Sequence, residues 1–231
     1  MAQKQFFLLV DTETTEKDTV ADFAAIIVDR KGVIHKQIAV LVAGHFGNFK
    51  LFHDVNSSEE IWTLAGLKRR NELYKNMLNS GDRMMASPLG INKWIKQAFE
   101  AYPNLVFTAY NASFDLGKMA NTGIETQGFS DIFCLWKAAA SKLSKDKRYI
   151  RHCLNRKWLT AKFNFRTNAE AVAEYAVGHE LPPEPHTALE DVIHYELPIL
   201  LWLIKSKSYK KYSQNGYNWR EWQLQNLVEP S

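Results

Sequence analysis

Three apolar runs crowd the first 43 residues, at 5–12, 23–30 and 33–43, and Asp29-Arg30-Lys31-Gly32 supplies a turn between the second and third. All three are rich in Val, Ile, Leu or Phe, which suit a pleated, half-buried surface. A chain that begins with such an antiparallel meander must cover a sheet, so the remaining residues have to supply layers. Residues 59–79 predict a helix. Ser87 and Pro88 look like an N-cap and first helical residue, and Ile91, Trp94, Ile95, Ala98 and Phe99 come after them at the spacing of one helix face. Further along, 105–109 predicts a strand, 115–120 a helix, 130–134 a fifth strand and 169–177 a helix. A last helix over 189–207 should bend at Pro198. The stretch 44–58 has no clean period, and Pro182, Pro183 and Pro185 make a rigid extended approach to His186. The expected fold is α/β, a mixed five-stranded sheet flanked by helices over 1–207, with a C-terminal extension at 208–231.

Composition narrows the setting. Cys134 and Cys153 are the only cysteines and have no CxxC spacing, so neither a disulfide framework nor a zinc site is expected, and a reducing, cytoplasmic location fits. The runs 6–10 and 197–204 are too short for a signal-peptide core and a membrane span, so no membrane partner is expected. The net charge of +4 is uneven. Residues 137–166 hold ten Lys/Arg against the single acid Asp146, a net +9, leaving −5 on the rest. Such a block suits a polyanionic partner, although a solvated helix face has the same composition.

Three short motifs carry the chemistry. In Val10-Asp11-Thr12-Glu13-Thr14-Thr15, an apolar strand ends in two acids at alternate positions, on one side of the chain. Two close carboxylates repel unless protonated or bridged, and hard divalent cations with oxygen ligands are natural bridges. In Tyr110-Asn111-Ala112-Ser113-Phe114-Asp115, an acid follows an apolar strand at a helix start. In His186-Thr187-Ala188-Leu189-Glu190-Asp191, a histidine precedes an acid by five residues at the foot of the last helix. Alone, the first reads sooner as a polar turn, the second equally as a helix cap, and the third sooner as a surface or core histidine.

Together, in this order, they resemble the DEDDh family of 3′-to-5′ exonucleases, which includes polymerase proofreading subunits, ribonuclease T and oligoribonuclease. Asp11 and Glu13 match its DxE, Asn111, Phe114 and Asp115 its Asn-x-x-Phe-Asp, and His186 and Asp191 its His–x4–Asp. The resemblance implies a ribonuclease H-like fold and two Mg²⁺ or Mn²⁺ ions on Asp11, Glu13, Asp115 and Asp191. It implies His186 as general base and release of nucleoside 5′-monophosphates from a single strand with a free 3′ end, DNA being slightly favoured over RNA. It further implies nucleic-acid contacts at Thr12, Thr14, Asn111 and Phe114. The basic block adds Lys145, Lys147, Arg148 and Arg151, expected to border the cleft, with Tyr149 or Trp158 as a stacking face. Glu190 is expected to be a bystander. A nucleic-acid-binding or polymerase-associated subunit of little activity is the alternative, with a polymerase or a second copy of the chain as candidate partner. The sequence departs from the family at Glu16, where glycine is frequent, at Tyr110, where histidine is frequent, and over 44–79, which reads as a divergent insertion.

Overall fold

The computed structural model describes residues 4–144, 146–160 and 164–206. Its centre is a mixed sheet of six strands in the order β4-β3-β2-β1-β5-β6. These are β1 (Phe6–Thr14), β2 (Val20–Asp29), β3 (Ile34–Val42), β4 (Met84–Ala86), β5 (Leu105–Ala109) and β6 (Ile132–Cys134). The meander β1–β3 is antiparallel, while β5 runs parallel to β1, β6 to β5 and β4 to β3. Only β2 therefore opposes the others, and all ten of its residues are buried.

The sixth strand corrects the expected count of five. Met84-Met85-Ala86 is three residues long with two exposed side chains, so it lacks the apolar alternation by which a strand is read, and it lies at the sheet edge.

Helices cover both faces: α1 (Leu64–Ser80), α2 (Pro88–Ala101), α3 (Ala112–Thr122), α4 (Leu135–Leu143), α5 (Lys147–Arg156), α6 (Ala169–Val177), α7 (Ala188–Asp191) and α8 (Leu197–Lys205). Strand alternation sorts the core. Phe7 and Leu9 face a cluster that includes Leu135, Tyr149, Val172, Tyr195 and Leu200, whereas Leu8 and Val10 face one that includes Ile91, Ile95 and Met119. By the same parity Asp11 and Glu13 point to the α8 side. The Ser87 hydroxyl accepts from Gly90 N–H at 3.2 Å, and Pro88 opens α2 as its sequence requires.

Two predicted helices are interrupted. Residues 59–79 divide into a 3₁₀ turn, Glu60–Trp62, and α1, whose cap Thr63 accepts from Gly66 N–H. Gly66 permits the fold-back: a Cβ there would lie 2.2 Å from the Ile61 carbonyl oxygen. The last helix is α7, then a π-helical turn over Val192–Glu196, then α8. Pro198 has no N–H for a helical bond, and where a bend is expected the helix takes a π-helical turn just before it. The expected extension at 208–231, Lys145 and the end of the 189–207 helix at residue 207 lie outside the described residues.

Segment 44–80 is tied to the sheet. Phe52 N–H bonds the Thr14 carbonyl at 2.8 Å, and Leu51, Leu67 and Tyr74 form a third cluster with Ala21 and Leu41. Among the described residues no helix is long and apolar enough to cross a membrane.

Candidate active site

Asp11 and Glu13 leave the carboxyl end of β1, and Asp115 lies in the first turn of α3, just beyond the parallel strand β5. Ligands of α/β sheets gather at such strand ends. His186 precedes α7 and Asp191 closes it. Glu13, His186 and Asp191 can each bring one ligand atom within 4.8 Å of the others, and His186 Nδ1 lies 3.9 Å from Glu13 Oε1. Burial and the charges of Glu196, Glu13, Asp115 and Asp191 hold the Asp11 carboxyl well above its usual range. Asp115 is buried and accepts from the Thr12 hydroxyl at 2.9 Å. The structure thus brings together all five residues singled out from the three motifs.

The cluster is short of positive charge. Burial raises Glu13 to about 8, against the opposing pull of Arg70, and raises Asp115 to about 7. Asp191 is pushed well up by burial, then by Glu13. Asp11 Oδ2 and Asp191 Oδ1 are buried with no hydrogen-bond partner, an expensive arrangement unless a cation or proton meets them. The carboxylate oxygens of Glu13 and Asp191 and the His186 ring nitrogen form a donor group of the kind that can hold a divalent cation.

These shifts set an expected pH dependence. A carboxyl whose folded pKa is raised holds its proton longer in the native state, so the contribution is full below the unfolded value and lost as pH rises through the folded one. For Glu13 that window runs from about 4.5 to about 8. The cation-free protein should therefore melt at falling temperature across this range. Added Mn²⁺ should restore the loss, and more so at higher pH. Melting curves with Mn²⁺ and with EDTA at several pH values check it; a cation effect independent of pH would count against a carboxylate site.

His186 has a positive φ of 55°, uncommon for a side-chain-bearing residue and characteristic of constrained sites. Tyr74 holds it in part, its hydroxyl donating to the His186 carbonyl at 3.4 Å. The imidazole packs on Trp62 with ring centroids 4.5 Å apart, and Arg70 lies over the same indole at 4.9 Å. Burial and then Arg70 lower the His186 pKa to about 4, so the ring is neutral at pH 7.

α7 is anchored by a buried network. Asp22 on β2 accepts from Ala188 N–H at 3.0 Å and from Arg83 Nε at 3.3 Å, and Arg83 reaches Glu190 at 2.5 Å. Glu190, expected to be a bystander, pairs with Arg83 and so helps to fix the motif in place.

Four contributors lie outside the sequence motifs. Trp62 and Arg70 come from 44–80, whose irregular start hides its approach to the site. Glu184, raised to about 7 by burial, sits among prolines that draw the eye to backbone rigidity. Glu196 is buried, five residues after Asp191; only a helix pattern lengthened by the π turn would have signalled it.

A cleft of about 970 Å³ meets the cluster at His186, Asn111 and Glu184. Trp62, Trp136 and Phe165 give it aromatic walls; its cations are Arg69, paired with Glu60 at 2.9 Å, and Arg166, and Glu59, Glu170 and Glu184 also line it. Tyr110 and Trp136 fix Thr167 by side-chain hydrogen bonds, and Arg166 reaches Glu59 across the cleft at 4.0 Å.

The basic block is placed differently from expectation. Lys147, Arg148 and Arg151 are exposed on α5 and do not line this cleft, and Arg148 pairs with Asp146. Lys145 is outside the described residues. Tyr149 is fully buried, its hydroxyl spent on the Arg166 carbonyl, so it offers no stacking face. Trp158 packs against the core and is covered by Arg156 at 4.9 Å. The helix is amphipathic: Lys147, Arg148 and Arg151 lie away from its buried Tyr149 and Cys153, while Arg156 shares their face and pairs with Glu174 and Glu180. Among the other expected contacts, Asn111 lines the cleft and Phe114 is exposed beside Lys118. Thr12 and Thr14 are buried, and the Thr12 hydroxyl is committed to Asp115.

No protein-family model matches the chain, and no curated protein matches it in sequence.

Proposed function

We propose that this protein is a divalent-cation-dependent 3′-to-5′ exonuclease of the DEDDh type on a ribonuclease H-like sheet, acting on single-stranded nucleic acid. The observation that carries the reading is the convergence of Asp11, Glu13, Asp115, His186 and Asp191, from three distant segments, around buried carboxylate oxygens that have no partner. The sheet supports it: disregarding the short edge strand β4, its order is β3-β2-β1-β5-β6 with only β2 reversed.

Asp11, Glu13, Asp115 and Asp191 would hold the cations. Bound Mg²⁺ or Mn²⁺ supplies Lewis-acid charge stabilisation for phosphodiester hydrolysis. The protein's own part is orientation and proton transfer. Neutral His186 accepts the proton of the attacking water, and the imidazolium so formed faces Glu13 Oε1. Trp62 packs against the ring and helps to hold its orientation. The cleft receives the strand behind its 3′ end, with Arg69 and Arg166 for phosphates and Trp62, Trp136 and Phe165 as faces for bases.

The direct test is release of nucleoside monophosphate from a 5′-labelled single strand with Mg²⁺, Mn²⁺ or EDTA, with the 3′ end free or blocked. Cation-dependent shortening from a free 3′ end is expected; binding without shortening would favour a non-catalytic subunit. His186→Ala should still bind cation and strand but lose ~10²–10⁴ in rate, the usual worth of a general base. A loss below tenfold would assign proton transfer elsewhere. Reversing Arg69 and Arg166 to Glu should weaken single-strand binding and lower the log–log salt slope by roughly 0.7 per lost phosphate contact. The same reversal of Lys147, Arg148 and Arg151 should leave the slope unchanged. Affinities at several salt concentrations separate the two surfaces.

A further inference from the structure

We propose that Glu196 is a fifth carboxylate of the cation site, brought there by the π-helical turn over Val192–Glu196 and held by the backbone of Tyr110. The proposal rests on the divalent-cation reading above and adds a ligand to it.

The placement comes from register. β1 and β5 are parallel neighbours with Leu9 opposite Thr108. Tyr110 follows the end of β5, and the Glu196 charge acts on Asp11 beside it. Glu196 Oε1 accepts from Tyr110 N–H at 3.2 Å, so its carboxylate is fixed at the strand ends alongside Asp11. That contact occupies one oxygen. The other, Oε2, is buried without a partner, and Glu196 is only 3% exposed. Asp11 Oδ2 and Asp191 Oδ1 are in the same condition, so three unpartnered carboxylate oxygens come from three residues of one cluster.

The helix geometry explains how one helical segment delivers two of them. In a regular α-helix, residues five apart do not share a face. Here Leu197 N–H bonds the Val192 carbonyl, five residues back, and the widened turn brings Glu196 towards the side used by Asp191. A buried acid needs only one oxygen to satisfy Tyr110 N–H; a neutral glutamine could do that equally well. What an acid adds at this position is a second, bare oxygen that a cation can meet.

The test uses the full chain and Mn²⁺ alone, without nucleic acid. Glu196→Gln retains an oxygen acceptor for Tyr110 N–H while removing the charge. Calorimetric titration should show Mn²⁺ binding at least tenfold weaker than wild type, and the Mn²⁺-induced rise in melting temperature should shrink at matched concentration. Glu180→Gln, at an exposed acid paired with Arg156, controls for general loss of negative charge and should bind as wild type. If Glu196→Gln binds Mn²⁺ within twofold of wild type, Glu196 serves only Tyr110 N–H and the proposal is overturned. Should the glutamine variant not fold, Glu196→Asp keeps the charge but withdraws it by one methylene, and the same tenfold and twofold criteria apply. Absence of Mn²⁺ binding by wild type would overturn the exonuclease reading and this proposal together, whereas equal binding by wild type and variant overturns this proposal alone.

Discussion

Asp115→Asn should reduce 3′-end release by roughly 10³-fold or more, the rate equivalent of ~4 kcal/mol of lost charge stabilisation, while the protein remains folded. Asparagine keeps an oxygen for the Thr12 hydroxyl, which now bonds Asp115 Oδ1 at 2.9 Å, so the start of α3 retains its anchor. What disappears is a negative charge that burial already disfavours. The variant should consequently be more stable than wild type above pH 7 without cation and gain less from Mn²⁺. Asp11→Asn and Asp191→Asn should behave alike. Terminal-nucleotide release together with melting curves checks both halves; near-wild-type turnover in any of the three would remove the catalytic assignment, and loss of folding would make these acids structural.

The largest effect on stability should come from Arg83→Met. The Arg83 side chain is 1% exposed and that of Asp22 is fully buried, and Asp22 also accepts from Ala188 N–H. Removing the guanidinium leaves a buried carboxylate uncompensated, a loss of ~3–5 kcal/mol. Pairing it with Asp22→Asn should recover part of this, because the stranded charge is removed while an acceptor for Ala188 remains. Denaturant unfolding of both single variants and the double variant measures the coupling. Additive losses would mean that the buried pair is not a unit.

The parts of the fold legible in the sequence are those in which one local signal agrees with the tertiary environment. Residues 169–177 carry a helical pattern and form α6, and Ser87-Pro88 opens α2 because cap and ring geometry act within four residues. The first strand reads as ending at Thr12 because polar residues interrupt the apolar run; pairing with β2 carries it to Thr14, so Glu13 is held in the ladder opposite Asp22. The charged helix α5 gives a strong compositional signal, but composition does not say which way a helix face points. Its Tyr149 is consumed by the core, and the cleft takes its cations from Arg69 and Arg166 instead.

At the site, the acids and His186 are legible because each motif sits at the end of an identifiable element. Arg70, Trp62 and Glu196 are not. Arg70 and Trp62 depend on Gly66 folding a turn back onto α1, and Glu196 depends on one widened helical turn. Neither event has a periodic signature.

The hydrogen bond from Ala188 to Asp22 joins positions 166 residues apart in the chain. It bears on the order in which the molecule assembles. The β1–β3 hairpins close short loops and can form first, whereas the segment bearing His186, Asp191 and Glu196 can dock only after a long closure whose entropic cost grows slowly with length. Mutual repulsion of the acids arises at that same late event. The same segment carries Val192, Tyr195, Ile199, Leu200 and Leu203 into the core, so its docking completes the packing over β1 as well as the site. On the divalent-cation reading proposed above, an ion bound there would favour this docked state over the undocked one, and so couple ion binding to completion of the fold.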